Sequence, residues 1–475
     1  MLDAIVNKLK NFREEIYSFF QYRQDAAMEL VDSLSSNTTA QSIVELSLNP
    51  LHRRNYCSIT RVLDEFTQGE QENQQKKIIS LLAKYCPPLK KRPYHLFGVD
   101  GTSNPRIFSP TLADRSFVYA PNTISGNKPV TIGHQYSIVT FFPEKEEQSP
   151  PWVIPLSCER ISTAQKSTMV GMRQITACIQ SQESFKERPC VSVGDSAYSN
   201  PSSLFEARKN PNQIHVSRIR SNRTLYYLST KKRSIHQRGR PECYGHKHDL
   251  REDEKTWREA DEYTEFEVIS KKGKTQKIKI DCWSKMMMRG KNRETLSDFS
   301  FRLIRIRVYK ASGELLFKRP MWLIVSGEKH FQLSLQEIFN IYRQRFDIEH
   351  FFRFGKNKLL MNKIQTPDVV HEESWWQLVM IAYTQLYLAR EIAESIANPW
   401  EKYLPAIQQA SREKSPTQVQ RAFQRIIRGI GTPAKPPKPR NKSLGRKQGE
   451  TRLKRLHHSI VFKRKIALEK GYNTS

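Results

Sequence analysis

Ile341-Tyr342-Arg343-Gln344-Arg345-Phe346-Asp347-Ile348-Glu349-His350-Phe351-Phe352-Arg353-Phe354-Gly355-Lys356-Asn357-Lys358-Leu359-Leu360 is the stretch on which the reading of this chain turns. On a helix advancing about 100° per residue, Tyr342, Arg345, Glu349, Arg353 and Lys356 fall within about a quarter of the circumference. Ile341, Ile348, Phe352 and Leu359 form an apolar stripe beside them. One carboxylate therefore sits among cations along one edge of a helix whose other edge is fit for a core. Asp347, two residues before Glu349, falls on a different face. The ordinary explanation of such a pattern is a surface ladder of ion pairs beside a buried stripe.

The whole chain is strongly basic. Its 475 residues carry 78 Lys and Arg against 48 Asp and Glu, a formal net charge of +30. A polyanionic partner is the direct implication, because each neutralised phosphate releases counterions. No apolar run approaches the roughly 20 residues that span a bilayer. The first residues, Met1-Leu2-Asp3-Ala4, lack the basic-then-apolar order of a secretory signal, so a cytoplasmic location is expected, on the nucleoid if the host is a prokaryote. Seven scattered cysteines, with no C-x2-C pair, read as reduced and mostly buried thiols. Cys243, His246 and His248, with His236 upstream, are spaced too tightly for a standard zinc module.

Two further acids follow apolar runs. Tyr94-His95-Leu96-Phe97-Gly98-Val99 reads as a short strand that ends in Asp100-Gly101, and Cys190-Val191-Ser192-Val193-Gly194 as another that delivers Asp195-Ser196-Ala197-Tyr198. An acid at the carboxyl end of a strand stands where open sheets place ligands, although taken alone each is equally a strand-ending turn. Strand, strand and late helix thus carry Asp100, Asp195 and Glu349 in that order.

The spacing Tyr-x2-Arg-x3-Glu-x6-Lys at Tyr342, Arg345, Glu349 and Lys356 matches in full the signature of a group of insertion-sequence transposases of the DDE, ribonuclease-H-like class, and the chain resembles that family. Asp195-x-Ala197-Tyr198 is similar to the family's second acid motif. The resemblance implies that Glu349 is the third metal-binding acid, after Asp100 and Asp195, and that Tyr342, Arg345 and Lys356 grip phosphates at the transposon end, with Arg353 beside them. It implies cut-and-paste transposition, with cleavage of terminal inverted repeats, joining to target DNA and a dimer bridging two ends. Three converging carboxylates suit hard cations, Mg²⁺ or Mn²⁺, and two such ions roughly 4 Å apart serve an in-line attack on a phosphodiester.

The expected architecture is α/β: a ribonuclease-H-like catalytic core with a β-rich insertion, preceded by a small all-helical domain and followed by a helical, basic C-terminal region. Residues 1–88 read as helices, placed by the resemblance at the element's ends, with Arg53, Arg54, Arg61, Lys76 and Lys77 on hand for phosphates. The core occupies 94–228 and resumes over 293–400. Between Asp195 and Glu349 lie roughly 150 residues, more than a compact core needs, so 229–292 is read as inserted β structure. It opens on a basic loop whose Arg238-Gly239-Arg240-Pro241 resembles the centre of an AT-hook, with both arginines suited to a narrow minor groove. Relatives stack an aromatic of the insertion on a flipped end base, and Trp283, with Trp257 second, is the candidate here; a tryptophan at a strand end is more often core. Residues 401–475 read as helix and then a basic tail. Two other classes use the same fold, a nuclease or resolvase without strand transfer and an inactive DNA-binding remnant.

Overall fold

The computed structural model describes residues 2–66, 71–120, 128–146, 149–229, 244–270, 273–289, 300–395, 403, 413–439, 445, 447–449, 451 and 454–462. Arg238, Arg240 and Cys243 lie outside the described residues.

Five helices open the chain: α1 (Leu2–Phe19), α2 (Gln24–Ser35), α3 (Ile43–Leu46), α4 (Cys57–Phe66) and α5 (Gln71–Lys84). They precede a large mixed sheet. Strands β1 (His95–Pro105), β2 (Ser116–Tyr119), β3 (Val130–Phe141) and β4 (Ile154–Ile161) are followed by helix α6 (Ser167–Gln180). Then come β5 (Cys190–Gly194), helix α7 (Pro201–Arg208), β6 (Gln213–Ile219), β7 (Thr224–Leu228), β8 (Tyr244–Asp249), β9 (Glu262–Ile269), β10 (Thr275–Met287), β11 (Phe301–Lys310) and β12 (Met321–Ser326). The described strands form one twelve-stranded sheet in the order β2-β3-β1-β5-β6-β12-β11-β10-β7-β8, with β4 on β3 and β9 on β10.

Pairing is antiparallel except where β5 lies parallel between β1 and β6. Every residue of β5, Cys-Val-Ser-Val-Gly, is buried. Such an unbroken apolar run is what a parallel strand covered on both faces requires. Residues 229–292 contribute β8, β9 and β10, and the ladder of β10 on β11, then β11 on β12 and β12 on β6, joins them to the same sheet.

Helices α8 (Leu335–Gln344), α9 (Asp347–Lys358), α10 (Val369–Ser395) and α11 (Pro416–Ile430) complete the described elements. Nearly every side of α10 is buried, including Trp375, Trp376, Tyr383 and Leu386. A helix apolar all round has no solvent face to present. It packs against α1, α2, α4, α11 and β4, and one apolar cluster runs from Phe12 and Leu30 through Tyr383 to Phe97.

Polar ties accompany this packing. Arg13 pairs with Asp32 and donates to the Gln385 side chain at 2.9 Å and to Gly431 O at 3.4 Å. The Arg53 Nε donates to Glu29 at 2.7 Å, and Arg54 pairs with the same carboxylate and donates to Lys435 O at 3.0 Å. These two arginines, expected to offer themselves to phosphates, also compensate the buried Glu29 carboxylate, Arg53 from an exposed position and Arg54 from a half-buried one.

Two local expectations are corrected. The stretch 341–360 is not one helix: Arg345, Phe346, Ile348 and Glu349 take backbone bonds from three residues back, a tightened joint between α8 and α9. Nor does Asp100 end its strand, since β1 runs on to Pro105, paired with β3 as far as Gly133.

Candidate active site

The site lies where the two central parallel strands part. The last bonded pair of β1 with β5 is Gly98 with Val193, so continuing that register by two residues brings Asp100 level with Asp195. Adjacent strands are about 4.8 Å apart, which puts the two acids side by side at an edge that β5 no longer covers. The Asp195 carboxylate accepts the Ala197 amide at 2.8 Å, turning the chain sharply after Gly194. Tyr198 then folds back and is buried. Its ring occupies the space beside Gly194 and Gly171, where an added Cβ would meet a ring carbon at 2.9 Å in each case. Tyr198 thereby wedges the Asp195 turn between β5 and α6.

The third acid comes from the first turn of α9. Arg345, at the joint, donates through Nη1 to Asp100 Oδ2 at 3.2 Å and through Nη2 to Glu349 Oε1 at 3.1 Å. The joint keeps Arg345 and Glu349 on one face, so the expected alignment survives the break in the helix. Burial pushes the Asp100 carboxyl up, Asp195 and Glu349 add to the rise, and Arg345 opposes it, leaving the group at about 6. Asp347 faces away, buried in a pair with Lys145.

The cations expected beside the acids divide by accessibility. Lys356 Nζ donates to Thr102 Oγ1 at 2.6 Å and to Ser103 O at 3.0 Å, tying α9 to the extension of β1. Burial lowers its pKa. Arg353 is exposed. Tyr342 is 2% exposed and lies under Arg345, so it supports that guanidinium rather than reaching outward.

Trp283 is the clear correction. It is 2% exposed, donates through its ring nitrogen to Arg258 O at 2.8 Å, and packs with Trp257 and Trp322 around the Arg305 guanidinium. Its ring faces are filled, which leaves none for a flipped base. The bulk of a tryptophan ending a strand went into core.

Two groups were not legible in the sequence. Arg218 follows Ser217, the partner of Gly194, and so stands level with Asp195; it is the exposed residue of an otherwise buried strand. In an arginine-rich stretch nothing singled it out. Buried Glu372, in the first turn of α10, accepts from Arg106 at 2.7 Å and Tyr136 at 2.8 Å and pairs with His134 at 2.9 Å. Burial would raise its pKa, but His134 and Arg106 outweigh that and hold it at about 2. Arg106 also reaches Asn362 O at 3.1 Å, so the cluster fixes the chain after α9 against β1 and β3.

Among the described residues no group of three acidic, histidine or cysteine side chains stands ready to hold a metal ion. The donor set nonetheless suits one: hard carboxylate oxygens from two elements already converge on a cationic centre, the Arg345 guanidinium, with Asp195 alongside. Among those residues, too, no helix is long and apolar enough to cross a membrane.

A family model described as DDE superfamily endonuclease matches residues 15–286. That span includes Asp100 and Asp195 and stops short of Glu349. The fold is similar to a piggyBac transposase solved as a synaptic complex with hairpin DNA, at 9% identity over 90% of this chain and 80% of that one, with a TM-score of 0.39. No curated protein matches the sequence.

Proposed function

The chain belongs to the DDE superfamily endonucleases, and from that membership we propose that it is the DNA transposase of an insertion sequence, built on a ribonuclease-H-like core. It would cleave the element's terminal inverted repeats and transfer the strands into target DNA, acting as a homodimer on double-stranded DNA. The observation that supports this reading is the arginine Arg345 bridging Asp100 on a parallel strand and Glu349 on a late helix, with Asp195, at the end of the neighbouring parallel strand, close enough to raise the Asp100 carboxyl.

Asp100, Asp195 and Glu349 would hold Mg²⁺ or Mn²⁺, two ions in the full reaction. Bound there, the cations supply activation of a water or 3′-hydroxyl and stabilisation of the leaving oxygen. The protein's own part is placement. Strands β1 and β5 fix two carboxylates in register, and the Tyr198 wedge keeps Asp195 from drifting. Arg353, Arg218 and Arg345 present guanidinium forks that match phosphate geometry and orient the scissile bond for in-line attack. Lys356, held by Thr102 and Ser103, keeps α9 at its distance from β1.

Supercoiled plasmid carrying the flanking element ends, incubated with Mg²⁺ or Mn²⁺, tests the reading. End-specific breaks are expected with the natural chain. Glu349→Gln should lower cleavage by more than the roughly 10–100-fold typical of losing a residue that merely orients a ligand. Cleavage without joining to a target would leave a nuclease, and end binding with no metal-dependent cleavage would leave a DNA-binding protein.

A further inference from the structure

Arg345 is claimed by two kinds of partner at once. Its guanidinium is 7% exposed and divides its donors between acids on different elements, Nη1 to Asp100 on β1 and Nη2 to Glu349 on α9. The aromatic rings of Phe346 and Tyr342 flank it at 4.7 and 5.6 Å, so the fork is also packed in place. A guanidinium so placed covers the same lone pairs that a divalent cation would use. Arg218, on the strand beside Asp195, and Arg353, one turn after Glu349 on α9, are exposed. With the chain's net charge of +30, they draw a DNA phosphate to this edge.

Resting on the assignment of Asp100, Asp195 and Glu349 as cation ligands, we propose that Arg345 is a resident counter-ion which an arriving phosphate draws off the acids, so that DNA binding and cation binding at this site reinforce each other. Without DNA, a cation must displace the fork from both carboxylates. With the fork turned onto a phosphate, which it fits by two parallel bonds, Asp100 and Glu349 lose the cation they share and attract a divalent one. The coupling is reciprocal: whatever factor DNA adds to cation affinity, the cation adds to DNA affinity. The device keeps the acids loaded only when a substrate is present.

Mn²⁺ binding to the full chain, followed by the paramagnetic resonance of the free ion with and without a duplex oligonucleotide, tests this. Glu349→Gln with the same duplex gives the baseline for ions held by DNA alone. The natural chain should bind Mn²⁺ at least about tenfold more tightly with the duplex, within the 5–150-fold range common for coupled sites. Arg345→Gln should bind Mn²⁺ about tenfold more tightly than the natural chain without DNA, and gain little when DNA is added. Arg345→Lys, which keeps the charge and most of the packing but cannot span both acids, should fall between them and stands in if Arg345→Gln melts early. Equal or weaker Mn²⁺ binding by folded Arg345→Gln and Arg345→Lys overturns the proposal. Mn²⁺ binding unchanged in both Asp100→Asn and Glu349→Gln overturns instead the assignment of the acids.

Discussion

Asp100 carries the most strongly opposed charge in the site. Burial and the neighbouring acids raise its carboxyl to about 6 in spite of Arg345. A raised carboxyl favours folding in its neutral form. The stability it lends is therefore complete below the ordinary value near 4 and is lost as pH climbs through about 6. A two-unit shift corresponds to roughly 3 kcal/mol. Denaturant titrations of the metal-free chain should show that loss between pH 4 and pH 7, and Asp100→Asn should flatten the profile; an unflattened profile would place the titration elsewhere. The local patterns around Asp100, Asp195 and Glu349 were legible at this scale, and they are what singled out these three acids as candidates. The roles of the aromatics were not. Trp283 reads as a candidate to stack on a base, with core as the commoner alternative, and Tyr342 as a phosphate contact, whereas each fills space beside an arginine.

The elements meet through absences of side chain as much as through contacts. Helix α6 comes close to the Asp195 turn because Gly171 has no Cβ, leaving room for the Tyr198 hydroxyl and Val99. Gly171→Ala should overfill that notch and cost about 1–3 kcal/mol, the usual range for an added buried methyl group. Since the displaced ring holds Asp195 and the displaced valine neighbours Asp100, cleavage should fall along with stability. Calorimetry and the plasmid assay on one preparation check both; a full loss of stability with unchanged cleavage would separate Tyr198 from the site. The strands were mostly readable as elements, because alternation or apolar runs bounded by turn residues mark them. The joint between α8 and α9 was not, for Arg345 and Phe346 are as compatible with a continuous helix as with a break. What breaks it is the need to bury Asp347 beside Lys145 while Arg345 and Glu349 face the acids.

Across the molecule, the N-terminal helices, α10 and the segment after α11 are joined by Arg13, whose partners Asp32, Gln385 and Gly431 span most of the chain. Arg13 and Asp32 are each about 2% exposed. Removing one partner strands a buried charge. Arg13→Met should destabilise by about 3–5 kcal/mol, and adding Asp32→Leu should recover most of that, since an apolar pair of similar volume is often neutral. Chemical denaturation of the single and double variants measures it, and an unrecovered double variant would mean that Gln385 and Gly431, rather than the pair, hold the junction.

The sequence by itself determined the basic character of the chain, nearly all of its strands, and the helical face shared by Arg345 and Glu349, because charge, alternation and spacing are local properties. Only the tertiary structure decided that Asp100 and Asp195 stand level, that Arg345 spans two of the acids, that Arg53 and Arg54 pair with the buried Glu29, and that Trp283 is core. Each of these depends on register, burial or competition among partners distant in the chain, and none of those is written within a window of neighbouring residues.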